Sequence, residues 1–265
     1  MDNLLIALIL SVVEGLTEFL PVSSTGHLIL AGDLLDFNGP RAATFEVIIQ
    51  LGAILAVVVL YWRRFLSLLM PKPYSRFSGL YGIWLLILTS LPACVLGLLL
   101  HSVIKNYLFN VPSVLCALVA GALCMILVEK KHPKPDCLVL DELTPKMALG
   151  IGCFQCLALW PGFSRSASTI MGGILLGAKR NISAEYSFIA AVPIMLAATG
   201  YDILKNWHLF TGSDVPFFTV GMIGAFFSAL LAIKVFIALI SRITLVPFAI
   251  YRLILAPVFY LVYYH

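Results

Sequence analysis

Residues 14–27 read Glu-Gly-Leu-Thr-Glu-Phe-Leu-Pro-Val-Ser-Ser-Thr-Gly-His, between two apolar runs that are each too short to cross a bilayer. A second stretch, Trp160-Pro161-Gly162-Phe163-Ser164-Arg165-Ser166-Ala167-Ser168-Thr169, is built the same way. In both, an aliphatic or aromatic residue and a proline lead into a run of hydroxyl side chains. The first stretch holds two carboxylates and a histidine, and the second holds an arginine. Ionisable groups at membrane depth are costly and mark function by default. Carboxylates, a histidine, an arginine and a ring of hydroxyls are the parts of a phosphate-handling site.

The membrane assignment rests on composition. The chain has 265 residues, of which 61% are hydrophobic and 11% charged. Its mean hydropathy is +1.03. Soluble domains carry about 25% charged residues, so this is an all-α integral membrane protein forming a single domain. The first apolar run has no basic flank and continues into Glu14 and Glu18, unlike a cleavable signal peptide. Nothing in the charge pattern suggests nucleic acid as a partner. The six cysteines lie mostly in apolar segments, where Cys acts as a small hydrophobe. Cys153-x-x-Cys156 has a redox or metal spacing, but no second pair or nearby His completes a site.

A transmembrane helix needs about 20 apolar residues. Six segments qualify: 42–62, 80–101, 111–129, 184–204, 215–240 and 245–264. Four are too short: 3–20, 24–35, 147–160 and 166–178. These pair across the two Pro-hydroxyl breaks. Each pair is expected to form a re-entrant helix–loop–helix hairpin, entering and leaving by one face.

Lys and Arg set the orientation. If segment 42–62 ends inside at Arg63-Arg64, then Arg63, Arg64, Lys72, Arg76, Lys130, Lys131, Lys134, Lys146, Lys179, Arg180 and Arg242 are all cytoplasmic. Only Arg41, Lys105 and Lys205 fall outside. Both termini then face outward, and the first hairpin enters from the outer face. The order is a hairpin plus three spans, followed by the same unit upside down. The first repeat covers 1–130 with its hairpin at 3–35, and the second covers 143–265 with its hairpin at 147–178. Matching Pro21 to Pro161 puts Ser24 on Ser164 and leaves Glu46 one residue from Glu185. Inverted repeats place their site where broken helices meet.

Glu14 and Glu18 share one helix face. Two buried carboxylates repel unless a cation, a shared proton or an arginine intervenes. Mg²⁺ or Ca²⁺ suits oxygen ligands, and Mg²⁺ commonly joins a carboxylate to substrate phosphate. Ser23, Ser24 and Thr25 open one short helix, while Ser164, Arg165 and Ser166 open the other. Such residues are ordinary N-caps, but a helix start is also an anion site. Arg165 brings the fork geometry that fits phosphate; the plainer alternative is a structural ion pair with Glu14 or Glu18. His27 has three roles open to it: activating Ser24, attacking phosphorus itself, or protonating the leaving oxygen. His101, His132, His208 and His265 sit at span ends or in loops. Lys234 and Arg252 are expected to snorkel toward an interface. Glu46 and Glu185 suggest a structural role shared by the halves.

The two motifs closely resemble the signatures of the bacterial undecaprenyl pyrophosphate phosphatase, or bacitracin resistance protein, family. The likeness extends to Phe45-Glu46-Val-Ile-Ile-Gln50-Leu-Gly and Pro247-Phe-Ala-Ile-Tyr251-Arg252. It implies hydrolysis of undecaprenyl diphosphate to undecaprenyl phosphate and inorganic phosphate at the outer face of the cytoplasmic membrane. That reaction recycles the lipid carrier for peptidoglycan and confers bacitracin resistance. The resemblance also implies a divalent cation and a homodimer. It makes Glu14 and Glu18 the acidic pair, Ser24 and His27 the nucleophile or base candidates, and Arg165 the phosphate-binding arginine. Ser23, Thr25, Ser164, Ser166 and Thr169 match flanking polar positions. One departure stands out: the family's second motif has Gly-Ala where this chain has Ala167-Ser168. Another lipid phosphatase pattern, Ser-Arg-x₅-His, does not apply, because Met171 occupies its histidine position. The competing class is a lipid-carrier flippase or small transporter on the same inverted repeat, which needs no nucleophile.

Overall fold

A computed structural model describes residues 3–131, 133–206 and 214–264. His132, His208 and His265 lie outside these. Among the described residues the regular secondary structure is helical, with a single isolated backbone bridge between Cys137 and Ala178. Six helices are long and apolar enough to cross a membrane. They are α3 (Pro40–Leu60), α5 (Gly79–Leu99), α7 (Val111–Lys130), α10 (Arg180–Asn206), α11 (Val215–Ile240) and α12 (Val246–Tyr264). The protein is therefore a multi-pass membrane protein, and the six segments anticipated from hydropathy coincide with these helices to within a few residues.

The short pieces are α1 (Asn3–Thr17), α2 (Ser24–Leu34), α8 (Pro145–Gln155) and α9 (Arg165–Leu175). Two further short helices escape a hydropathy search: α4 (Trp62–Leu69) and the single turn α6 (His101–Val103), which runs on into a π-turn at Ile104–Leu108. Helix starts follow local chemistry. Asn110 accepts from the Ser113 amide at 3.0 Å to open α7, and Thr144 accepts from the Met147 amide at 3.2 Å to open α8. A proline follows within the first turn of each, where its missing N–H costs nothing.

Helix α11 packs along both α1 and α3. The approach of α1 is close enough that a Cβ on Gly15 would overlap Ser228 Oγ and come within 2.6 Å of the Ala225 carbonyl. Thus α1 ends beside the middle of α11. From there α2 doubles back toward the end where Phe37 packs on Phe45 and Phe217 and where Arg41 pairs with Asp214 at 2.7 Å. Helix α8 likewise lies against the middle of α5. Thr89 donates to the Ala148 carbonyl at 2.9 Å, and Gln155 donates to the Thr89 carbonyl at 3.2 Å.

The opposite end is tied by Glu129. This carboxylate accepts from Arg180 Nε at 3.0 Å and from the Leu245 amide at 2.8 Å, clamping α7, α10 and the α11–α12 turn together. There Asp141 accepts from Ser75 Oγ and the Phe77 amide, and Arg64 faces Glu185 at 3.7 Å. All six cysteines are free, including Cys153 and Cys156. Burial, with Glu142 and Asp136 nearby, pushes the Cys137 thiol up to about 11, so that sulfur stays protonated and inert.

The fold corrects one expectation. Arg252 does not snorkel; it is fully buried, whereas Lys234 is exposed on α11. The guanidinium of Arg252 donates to the carbonyls of Phe163 (3.0 Å), Gly162 (2.9 Å) and Ala117 (3.1 Å). A buried charge persists only where it is hydrogen-bonded, and three carbonyls supply that environment. Gly121 on α7 makes room for it, since a Cβ there would collide with both Arg252 Nη atoms.

Candidate active site

Two serines with the same unusual backbone place the site. Ser23 has φ 74° and caps α2; Ser164 has φ 81° and caps α9. A positive φ is uncommon outside glycine and costs about 1–3 kcal/mol where the surroundings enforce it. In each case the serine hydroxyl accepts from an amide three residues on, Gly26 at 3.4 Å and Ala167 at 3.3 Å. The structurally equivalent residues are therefore Ser23 and Ser164. That register is one residue away from the match of Ser24 with Ser164. Ser24 and Arg165 become counterparts, each the first residue of an 11-residue helix.

The start of α9 is bonded to the loop that leads into α2. Ser166 Oγ donates to the Leu20 carbonyl at 2.8 Å and lies 3.0 Å from Ser164 Oγ. Between them is a cavity of about 220 Å³ lined by Glu18, Ser23, Ser24, Thr25, Gln50, Ala158, Pro161, Gly162, Ser164, Arg165, Met195 and Ala198. The first-turn amides of a helix have no intrahelical acceptor; Gly26 and Ala167 donate theirs to the caps, which leaves the amides of the first two residues of each helix, Ser24 and Thr25 in α2 and Arg165 and Ser166 in α9, at the cavity end.

Glu18 is the hub. Its Oε2 accepts from Ser24 Oγ at 2.6 Å, and its Oε1 accepts from Arg165 Nη2 at 3.0 Å. Arg165 lies over the Phe19 ring at 5.6 Å, and its Nη1 donates to the Ser187 carbonyl at 3.2 Å. Thr169 and Ser187 share a 2.6 Å hydroxyl contact that braces α9 against α10. Arg165 Nε is buried and finds no acceptor among the described residues. The arginine is thus held from two sides, with donor capacity left over.

His27 stands one turn along α2 and does not line the cavity. Its Nδ1 bonds the Ser23 carbonyl at 2.7 Å, and its Nε2 meets Tyr251 Oη at 2.6 Å. A carbonyl only accepts, so Nδ1 carries the proton; in the neutral ring Nε2 then accepts from Tyr251. The two rings stack at 5.6 Å. Sequence spacing allowed His27 to reach Ser24, but the hydroxyl of Ser24 goes to Glu18.

Glu14 lies one turn before Glu18 and is fully buried, with neither carboxylate oxygen bonded to any described residue. Ser168, the departure from the family motif, spends its hydroxyl on the Ser164 carbonyl at 2.8 Å and reinforces the cap. Tyr251, Arg252 and Ser187 support the site without having been assigned a part in it. Tyr251 and Arg252 sit in the conspicuous Pro247–Arg252 stretch, whereas Ser187 leaves no local signal.

A family model described as bacitracin resistance protein BacA matches residues 7–258. The chain belongs to this family. It is 73% identical over 260 residues, 98% of each chain, to a protein of Desulfovibrio desulfuricans named undecaprenyl-diphosphatase. Proteins of the same name from Nitratidesulfovibrio vulgaris and Lawsonia intracellularis are 66% and 60% identical, over 98% of each chain. Every element that builds the cavity falls within the family match.

Proposed function

We propose that this protein hydrolyses undecaprenyl diphosphate to undecaprenyl phosphate and inorganic phosphate. Full-length relatives bearing that activity in their name support the reading. The single structural observation that carries the chemistry is Glu18 bonded to Ser24 on one oxygen and to Arg165 on the other.

In the reaction, Arg165 exchanges its contact with Glu18 for the incoming phosphate, where a planar fork binds two oxygens at once. The amides opening α2 and α9 receive the remaining phosphate oxygens. Ser24 Oγ attacks the terminal phosphorus while its proton passes to Glu18 Oε2. The anhydride P–O bond breaks, and undecaprenyl phosphate leaves with the bond's electron pair on its oxygen. Water then attacks the phosphoserine and gives its proton to a non-bridging oxygen of the phosphoryl group. Inorganic phosphate departs, and Ser24 recovers its proton from Glu18. Tyr251 and His27 hold the Ser23 carbonyl, and hence the cap, in place.

The buried, unbonded oxygens of Glu14 fit a hard divalent cation, Mg²⁺ or Ca²⁺, held by Glu14 and Glu18. Among the described residues no third His, Cys, Asp or Glu joins these two. When bound, such an ion neutralises phosphate charge.

The remaining parts of the proposal concern placement. The two short-helix pairs are re-entrant hairpins of an inverted repeat, supported by α1 and α8 ending beside the middles of α11 and α5. The first hairpin opens outward, with both termini outside; the distribution of Lys and Arg supports this. The homodimer rests on the family likeness alone.

Phosphate release from undecaprenyl diphosphate by the purified protein tests the activity. Wild-type release that vanishes in Ser24→Ala is the expected result. Absence of release from folded wild-type protein would overturn the reading.

A further inference from the structure

Away from the catalytic cavity, helix α4 separates two neighbouring hollows of opposite character. On one side is a cavity of about 590 Å³ whose lining includes Arg63, Arg64, Lys72, Ser67 and Ser75. On the other is an apolar groove of about 550 Å³ between α5 and α10, lined by Phe65, Leu68 and Leu69 of α4 with Ile87, Leu91 and Pro193. Trp62, Leu66 and Leu69 form an exposed stripe along the same helix, with Leu69 77% exposed. An amphipathic helix with an apolar stripe beside basic residues lies in the plane of the membrane interface.

The cations of the basic cavity are incompletely satisfied. Arg64 faces Glu185 at 3.7 Å, with its side chain still 38% exposed. Arg63 stacks on Trp62 at 5.5 Å, and neither Arg63 nor Lys72 makes an ion pair among the described residues. Asp141 also lines the cavity, but its Oδ1 is engaged by Ser75 Oγ and the Phe77 amide. The cavity therefore offers net positive charge, and the groove beside it is almost wholly apolar.

We infer that these two hollows form one binding site for an anionic membrane phospholipid, with its phosphate against Arg63, Arg64 and Lys72 and an acyl chain in the groove behind α4. Charge complementarity fixes the head, and the apolar lining on the other side of the same helix takes the tail. Lys and Arg beside the end of a transmembrane helix attract anionic headgroups, and here they stand on α4 and the loop after it, next to the end of α3. The site is distinct from the catalytic one. Helix α10 stands between them, presenting Val192 and Leu196 to the groove and Met195 and Ala198 to the catalytic cavity. A lipid seated there would brace the helix that carries Ser187, a partner of Arg165.

Thermal unfolding of the purified full-length protein, with native mass spectrometry of retained lipid, tests the inference. The probes are phosphatidylglycerol, phosphatidylcholine, undecaprenyl phosphate and inorganic phosphate. Phosphatidylglycerol is expected to raise the unfolding temperature and be retained, and phosphatidylcholine to do neither. In Arg63→Gln/Lys72→Gln its affinity should fall roughly thirtyfold, each cation contributing about fivefold. Ile87→Trp, which fills the groove, should weaken binding with the basic cavity intact. Phosphate release in phosphatidylcholine micelles should be unchanged in the double variant. Equal retention of both phospholipids, undiminished phosphatidylglycerol binding in the double variant, or a response to undecaprenyl phosphate or inorganic phosphate that the double variant abolishes would each overturn the inference. None of these outcomes depends on the protein being a phosphatase.

Discussion

Ser24 donates its hydroxyl to Glu18 at 2.6 Å across a chain reversal of only six residues, and the same carboxylate holds Arg165 at 3.0 Å. One side chain thus joins the hydroxyl of the first motif to the guanidinium of the second. A carboxylate in that position can take a proton from the hydroxyl as an electrophile approaches.

Ser24→Ala removes the oxygen proposed to attack phosphorus and leaves Glu18 on Arg165. Phosphate release should fall at least about a thousandfold, as for loss of a covalent nucleophile. Rapid quench with labelled terminal phosphate should trap a phosphorylated serine in the wild type and none in the variant. Trapped phosphate that maps to His27 instead would reassign the nucleophile.

Arg165→Lys and Arg252→Lys should both lose activity but differ in stability. Arg165 borders the cavity and has spare donors, so its loss should cost roughly a hundredfold in rate with little change in unfolding temperature. Arg252 touches no part of the cavity lining except Gly162, and only through the backbone. A lysine there leaves buried carbonyls unsatisfied at about 1–3 kcal/mol each, so stability and activity should fall together. Near-normal release by folded Arg165→Lys would remove that residue from substrate binding.

Glu14→Gln and Glu18→Gln should both move the divalent-cation titration of activity to higher concentration, because an amide is a poorer ligand for a hard ion. Glu14→Gln should not lower the unfolding temperature, since its oxygens have no protein partner to lose. An unchanged titration in both variants would leave the cation with no place at these carboxylates.

Orientation is tested by thiol labelling in intact cells, starting from a chain cleared of native cysteines. Of these, Cys116 and Cys153 are exposed. Cysteines at Asp36 and Asn38 should react with an impermeant reagent, and one at Lys131 should not. The reverse pattern would invert the topology and move the chemistry to the inner face.

The spans were legible because hydropathy is a sum over about 20 residues, and small local errors leave it intact. The charged and hydroxyl residues of the cavity were legible because polar groups stand out against an apolar background. Pairing was harder to see. Ser24 and His27 are close in sequence, but the positive φ of Ser23 turns the chain so that Glu18 comes under the Ser24 hydroxyl and His27 faces Tyr251, 224 residues away. Arg252 looked like an interfacial cation because one sequence cannot show that Gly121 clears space for its guanidinium. Helix α4 was missed because two arginines in eight residues hide its apolar stripe from a hydropathy window.

The clamp made by Arg252 also governs timing. The carbonyls of Gly162 and Phe163 are anchored by a residue of α12, and His27 meets its tyrosine partner one place earlier on the same helix. Neither loop is locked until α12 has been synthesised and inserted. A nascent chain that already carries both motifs is therefore not yet a working enzyme. A chain stopped short of α12 would keep the polar side chains of both motifs but lose the frame that aims them.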